Sequence, residues 1–148
     1  MDDNKFLEII DATPLVSIDI ILRNSEGKIL LGRRENKPAQ GSWFVPGGRI
    51  RKNESLNDAM ARISNTELGV GLELGTAKLI GAFDHIYEDN FTGQGNIGTH
   101  YVALGYELKL LGDPEIKGDT QHKAMKWWDL NNLLGSSEVH ENTKAYFR

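Results

Sequence analysis

The sequence predicts an α/β fold in which a mixed β-sheet lies between α-helices. Three observations carry this expectation. Two stretches near the start, "PLVSIDIILRN" and "KILLGRR", have the composition of paired strands. One helical run follows from Ser55 to Leu68, and strand-like segments return at about 74–84 and 99–109. The chain then closes with "MKWWDL" and helical segments at 130–134 and 139–147. Strands, a helix, more strands and a final helical region together call for helices on both faces of one sheet.

Each element has its own warrant. Phe6, Leu7, Ile9 and Ile10 suggest a short amphipathic helix that stops before Pro14. In the first strand Val16, Ile18, Ile20 and Leu22 alternate with Ser17, Asp19 and Ile21. Asp19 thus lies opposite the aliphatic set, where it faces either solvent or a site. "NSEGK" reads as a turn, "NKPAQGSW" as a loop, and "WFVPGGRI" as a short apolar strand running into a glycine turn. Leu56, Ala59, Met60 and Ile63 recur at helical spacing, with Ser55 and Asp58 resembling a capping box and Gly69 as the stop. The loop "HIYEDNFTGQGNIG" is long for a compact domain, which favours a functional role. "DPEIKGDTQHKA" is a second loop.

The bulk properties bound the rest. A chain of 148 residues corresponds to one domain over 1–148, with 1–12 as a helical extension. A net charge of −4 argues against a non-specific nucleic-acid or anionic-membrane binder. With no cysteine, disulfides, zinc-thiolate sites and cysteine nucleophiles are excluded. No long apolar run is present and the N-terminus is not a signal peptide, so a cytoplasmic location is the expectation.

The chemistry concentrates in "GGRIRKNESLNDAMARISNTELG", residues 47–69. Gly47 and Gly48 permit close backbone approach, and a carbonyl from such a turn can point at a cation. Glu67 extends the apolar stripe of the helix, and a carboxylate there is costly unless paired or bound to metal. Arg33, Arg34, Arg49, Arg51, Lys52 and Arg62 gather positive charge suited to phosphate oxygens. The same charges also read as a solvated loop with intrahelical pairs such as Asp58–Arg62. In "DTQHKA", Gln121 offers a hard amide oxygen and His122 a base that titrates near neutrality, although on their own they read as an ordinary surface loop.

This stretch is similar to the Nudix box, G-x5-E-x7-R-E-U-x-E-E-x-G-U, with U a bulky aliphatic residue. Gly48, Glu54, Arg62, Glu67, Gly69 and Val70 fit the frame, while Ile63, Ser64 and Thr66 break it. The ordinary box carries carboxylates at the positions of residues 63, 66 and 67, which gather magnesium and activate water against phosphorus. Beyond the box, "TPLVSIDI", "KPAQGSWFVPGGR", "DHIYEDNF", "THYVALGY", "DTQHK" and "VHENTKAYF" occur in an order that resembles the GDP-mannose mannosyl hydrolase branch of the Nudix superfamily, over residues 13–147. In that branch the same two box carboxylates are absent.

The resemblance implies a Nudix fold and attack of water at the anomeric carbon of GDP-mannose, or of GDP-glucose, with inversion. It implies magnesium, with Mn²⁺ as a substitute, held by the Gly47 carbonyl, Glu67 and Gln121. It further implies His122 as base, Arg34, Arg49 and Tyr101 on the leaving diphosphate with Arg62 in support, and Asp19, His85 and Tyr87 by the sugar. A homodimer is implied, with residues 1–12 a candidate for its interface. Glu54 reads as a structural charge near the helix start, and Trp43, Trp127 and Trp128 as core or interface. His100 and His140 read as structural or exposed. Two alternatives stay open on the sequence: an ordinary pyrophosphohydrolase cutting at phosphorus, and an inert nucleotide-sugar-binding module.

Overall fold

The structure is a computed structural model that describes residues 1–110 and 124–148. Gln121, His122 and most of the "DPEIKGDTQHKA" loop therefore lie outside the described residues.

Helix α1 spans Asp3–Ala12; the Asp2 carboxylate caps it by accepting from the Lys5 N–H at 2.8 Å. It ends ahead of Pro14, as expected. Strand β1 (Leu15–Arg23) turns back through Asn24 and Gly27 into β2 (Ile29–Arg33). The Asn24 side chain accepts from the N–H groups of Glu26 and Lys28, and Gly27 has φ 76°. The simple alternation expected for β1 is incomplete. Ile18, Ile20 and Leu22 are buried, but so is Ile21, while Val16 is 43% exposed. The strand is covered on both sides over Ile20–Leu22, and near its start only Val16 is exposed.

"WFVPGGRI" forms two short strands, β3 (Trp43–Phe44) and β4 (Gly47–Arg49), and the glycines lie within β4 rather than in a turn. Neither has a positive φ. What they supply is room. A β-carbon on Gly47 would stand 2.5 Å from both Asp19 Oδ1 and the Ile18 carbonyl, and one on Gly48 would stand 3.2 Å from the Ile63 side chain.

Helix α2 (Leu56–Leu68) starts as the capping residues predict: the Asp58 N–H donates to Ser55 Oγ at 3.1 Å, and Gly69 ends the helix at φ 74°. Its inner face is Ala59, Met60, Ile63, Ser64 and Leu68, whereas Leu56 at the open end of the stripe is exposed. Ser64 occupies an aliphatic position of the box. It is buried because its Oγ accepts from the Leu72 N–H at 2.8 Å, tying the segment after the helix to the helix itself.

After a 3₁₀ turn at Leu74–Thr76, where the sequence suggests the strand has already begun, come β5 (Lys78–Tyr87) and β6 (Thr99–Lys109). In the loop between them Asn90 is buried and donates to the carbonyls of Gln94 and Ile97 at 3.0 and 2.8 Å. Strand β7 (Met125–Trp128), α3 (Leu130–Gly135), α4 (Glu141–Lys144) and a 3₁₀ turn (Ala145–Phe147) complete the described chain.

The sheet has the order β3-β2-β1-β6-β5, with β4 also on β1 and β7 also on β2. β1 and β6 are parallel and the other pairs antiparallel, so the sheet is mixed. One core joins Ile18, Ile20, Leu22 and Leu108 to α2; the other joins Ile21, Leu31 and Trp128 to Leu133 of α3 and to Tyr146. Helical segments thus cover both faces. None of the described helices is long and apolar enough to cross a membrane.

Candidate active site on the sheet face beside the glycine strand

Period-two alternation puts Ser17 and Asp19 on one face of β1. The register carries that face across the sheet: Ser17 stands beside Ala103 and Asp19 beside Gly105 on β6, while Tyr101 lies opposite His85 on β5. Thr99 pairs with Tyr87 at the strand ends. The result is a cavity of about 330 Å³ floored by polar side chains of three strands. Arg34 follows β2, Gly47 and Arg49 belong to β4, and Glu67 comes from the last turn of α2; all four reach the cavity wall.

Eight of the residues singled out in the sequence therefore meet in one place: Asp19, Arg34, Gly47, Arg49, Glu67, His85, Tyr87 and Tyr101. Arg62 is an exception. Its guanidinium is taken up by Glu54 (Nε–Oε2 2.7 Å, Nη2–Oε1 2.9 Å) and by the Arg49 carbonyl at 2.8 Å, and it does not line the cavity. It braces the backbone that carries Arg49 instead of pairing with Asp58. Glu54 is the structural charge expected; the Arg62 hydrogen bonds and the Arg51 N–H hold its carboxyl down at about 2.

Asp19 is the most unusual group. Burial pushes its carboxyl up to about 6, against the hydrogen bond from Tyr146 and the Arg34 charge, which pull it down. Tyr146 Oη donates to Asp19 Oδ2 at 2.6 Å. His85 Nδ1 lies 3.7 Å from the same oxygen. Burial, with the nearby His140 and Arg34, pushes His85 down to about 4, so the imidazole is neutral at pH 7 and this approach is not an ion pair. Burial raises the phenols of Tyr87 and Tyr101, opposed by Arg34.

Arg34 is oriented by aromatic surface. Its guanidinium lies 4.2 Å from the Phe44 ring centroid and 5.7 Å from that of Tyr87, and it donates to the Pro38 carbonyl at 3.1 Å. His140 stacks on Phe44 at 4.7 Å and caps α4 by accepting from the Asn142 N–H through Nδ1, so it is structural, as expected. Arg49 lies 4.5 Å from the ring of Phe6, which α1 brings to the cavity beside Phe91. The sequence does not point to Phe6, Phe44 or Tyr146 as site residues. The only signal for Tyr146 is its place in "VHENTKAYF"; the phenylalanines read as ordinary apolar positions.

The donor set fits magnesium in part. Glu67 and Gly47 line one cavity, a carboxylate and a backbone carbonyl are hard-oxygen ligands, and Mg²⁺ needs only one or two carboxylates when phosphates and water complete its shell. Among the described residues no group of three or more His, Cys, Asp or Glu side chains is placed to hold a metal. Ile63 is 2% exposed in the core and Thr66 faces outward, so the box's carboxylate cluster is not formed.

The chain matches the NUDIX domain family over residues 13–147. It is 43% identical over 124 residues to the low-salt glycan biosynthesis protein Agl8 of Haloferax volcanii, covering 84% of this chain and 76% of that one. It is 30% identical over 136 residues to an ADP-ribose pyrophosphatase of Methanocaldococcus jannaschii, covering 91% and 74%. Among solved structures, a MutT NUDIX hydrolase from Burkholderia pseudomallei superposes with a TM-score of 0.71 at 26% identity, over 90% of this chain and 95% of that one. The NUDIX domain of Shewanella oneidensis NrtR, solved with ADP ribose, shares the fold with a TM-score of 0.69 at 20% identity, over 99% and 96%. By sequence and by fold, this chain belongs to the Nudix hydrolase family.

Proposed function

We propose that the protein is a magnesium-dependent GDP-mannose mannosyl hydrolase, a single Nudix domain that cuts a carbon–oxygen bond. One observation carries the reading. Ile63 is sealed in the core against Gly48 while Glu67 still reaches the cavity, so the box keeps a diphosphate cradle and loses the cluster that activates water against phosphorus. The polar groups lie instead on the sheet face. The 43% identical relative named for glycan biosynthesis is in keeping with a nucleotide-sugar substrate.

In this mechanism Gly47, Glu67 and Gln121 would hold magnesium, which neutralises the diphosphate and makes GDP a good leaving group. Arg34 and Arg49 orient and neutralise the same oxygens, and Tyr101 adds a hydrogen bond. His122 takes the proton of the attacking water. The water oxygen bonds to the anomeric carbon on the face opposite the diphosphate, the carbon–oxygen bond breaks, and GDP leaves with the electron pair. The Asp19 carboxylate, with His85 and Tyr87 beside it, faces the sugar and stabilises the positive charge that develops there. With so good a leaving group, the general acid of an inverting glycosidase is dispensable. GDP-glucose differs at one stereocentre and fits the same scheme.

Hydrolysis in ¹⁸O-labelled water tests the bond cut. Label in free mannose is the expected result; label in GMP or mannose 1-phosphate overturns it. The second outcome is the ordinary Nudix reaction, which the 30% identical relative named as an ADP-ribose pyrophosphatase favours. His122→Gln is expected to lower kcat roughly 10²–10⁴-fold with metal binding retained. An unchanged rate removes His122 as the base.

A further inference from the structure

The C-terminal 3₁₀ turn, Ala145–Phe147, sends the Tyr146 ring under the site. The ring packs edge-on to Phe83 (centroids 4.6 Å apart, 72°) and over Gly105, where a β-carbon would come within 2.6 Å of it. Gly105 is the in-register neighbour of Asp19. The glycine therefore opens the space through which Tyr146 reaches the carboxylate. Tyr146 Oη donates to Asp19 Oδ2 at 2.6 Å and lies 3.5 Å from His85 Nε2. The other carboxylate oxygen, Oδ1, is confined by β4, since a β-carbon on Gly47 would be 2.5 Å from it.

Packing alone does not account for a tyrosine here. Phenylalanine would fill the same space against Phe83 and Gly105, and a hydroxyl is costly to bury unless it is bonded. Nor does Tyr146 line the cavity, so its hydroxyl acts on substrate only through the groups it touches, Asp19 at 2.6 Å and, more distantly, His85 at 3.5 Å. We infer that Tyr146 is a positioning residue, whose hydroxyl fixes the Asp19 carboxylate in the orientation it presents to the reacting sugar. The C-terminal turn is then a working part of the site. The same segment also braces the opposite wall: Thr143 Oγ1 accepts from the Val45 N–H at 3.3 Å, and His140 backs Phe44 under Arg34.

The kinetic side of this inference rests on the proposed function; the structural side does not. Tyr146→Phe keeps the ring and removes the hydrogen bond. With GDP-mannose, kcat is expected to fall roughly 10–100-fold, as expected when a reacting group loses its alignment, while KM and the melting temperature stay close to wild type. In an Asp19→Ala background the same change is expected to cost nothing further. An undiminished kcat, or an equal loss in the Asp19→Ala background, overturns the inference. A crystal structure of Y146F gives the arm that needs no substrate: the Asp19 carboxylate is expected to rotate away from its position beside His85. If wild-type protein releases no GDP from GDP-mannose, the proposed function fails, and this structure still decides Tyr146. An Asp19 that stays in place without the hydroxyl overturns the positioning role.

Discussion

On the α2 face of β1, Ile18, Ile20 and Leu22 are sealed against Ala59, Met60 and Ile63, with no charge in the layer. On the opposite face Asp19 shares a cavity with two arginines, a histidine and two tyrosines. The adjacent glycines of β4 mark the boundary: the open side of Gly48 meets Ile63 and that of Gly47 meets Asp19. In an ordinary Nudix box the helix side would supply carboxylates at 63 and 66. Here position 63 has been given to the core, and of the three carboxylate positions of the box, 63, 66 and 67, only Glu67 reaches the cavity. On the proposed mechanism the altered box is a scaffold and not a damaged copy of a metal cluster. One face is packed as scaffold and the other gathers the ionisable groups.

Restoring the box residue is the harshest way to break this division. Ile63→Glu places a carboxylate at a position that is 2% exposed, with the Gly48 backbone packed against its side chain. An unpaired buried charge costs roughly 3–5 kcal/mol, so chemical denaturation in metal-free buffer is expected to show a loss of that order. A variant as stable as wild type would mean that position 63 still opens toward the cavity.

Most of the fold is legible in the sequence because its signals are local. The capping pair Ser55–Asp58, Gly69, and the alternation through 18–22 each report on a few neighbouring residues, and α2 and β1 follow from them. Of the eight residues that meet in one cavity, Gly47, Glu67, Arg34 and Arg49 are legible in the glycine–helix stretch and its charge, whereas His85, Tyr87, Tyr101 and the role of Asp19 are legible only through the motif order shared with a family, since their convergence depends on strand register across β1, β6 and β5. What local pattern misreads are long-range substitutions of partner. Arg62 has Asp58 at helical spacing and turns to Glu54 instead, because that pairing also engages the Arg49 carbonyl. Tyr146 meets Asp19 across 127 positions of sequence, which no periodicity reports. Gly47 and Gly48 suggest a turn by composition, yet they serve a strand that lies too close to its neighbours for side chains.

Gly47→Ala sharpens the boundary from the cavity side. The added methyl would stand 2.5 Å from Asp19 Oδ1 and from the Ile18 carbonyl, so either the carboxylate or the β1–β4 pairing must shift. A displacement of about 1 Å at a reacting group is worth on the order of 10²-fold in rate, and turnover is expected to fall by at least that much. Gly48→Ala meets first the flexible side chain of Ile63, at 3.2 Å, and is expected to lower stability more than turnover. Equal kinetic losses in the two variants would show that the glycines do not separate a reacting face from a packing face.

The two faces also differ in how they answer to pH, and this is the smallest effect because it vanishes near neutrality. On the α2 face β1 presents Ile18, Ile20 and Leu22, whose side chains carry no titrating group. On the cavity face, burial holds His85 at about 4, below the 6.5 of a free imidazole. Above pH 6.5 the residue is neutral in both the folded and the unfolded chain and contributes no pH dependence. As pH falls from 6.5 toward 4, the unfolded chain takes up a proton that the folded chain refuses, so stability declines across that window and the loss is complete below it. His85→Asn removes this proton from the unfolded state. Denaturant midpoints at pH 7.5 and pH 4.5 are therefore expected to differ less in the variant than in wild type. Parallel declines in the two proteins would place the imidazole in contact with water, and with it the floor of the cavity beside Asp19.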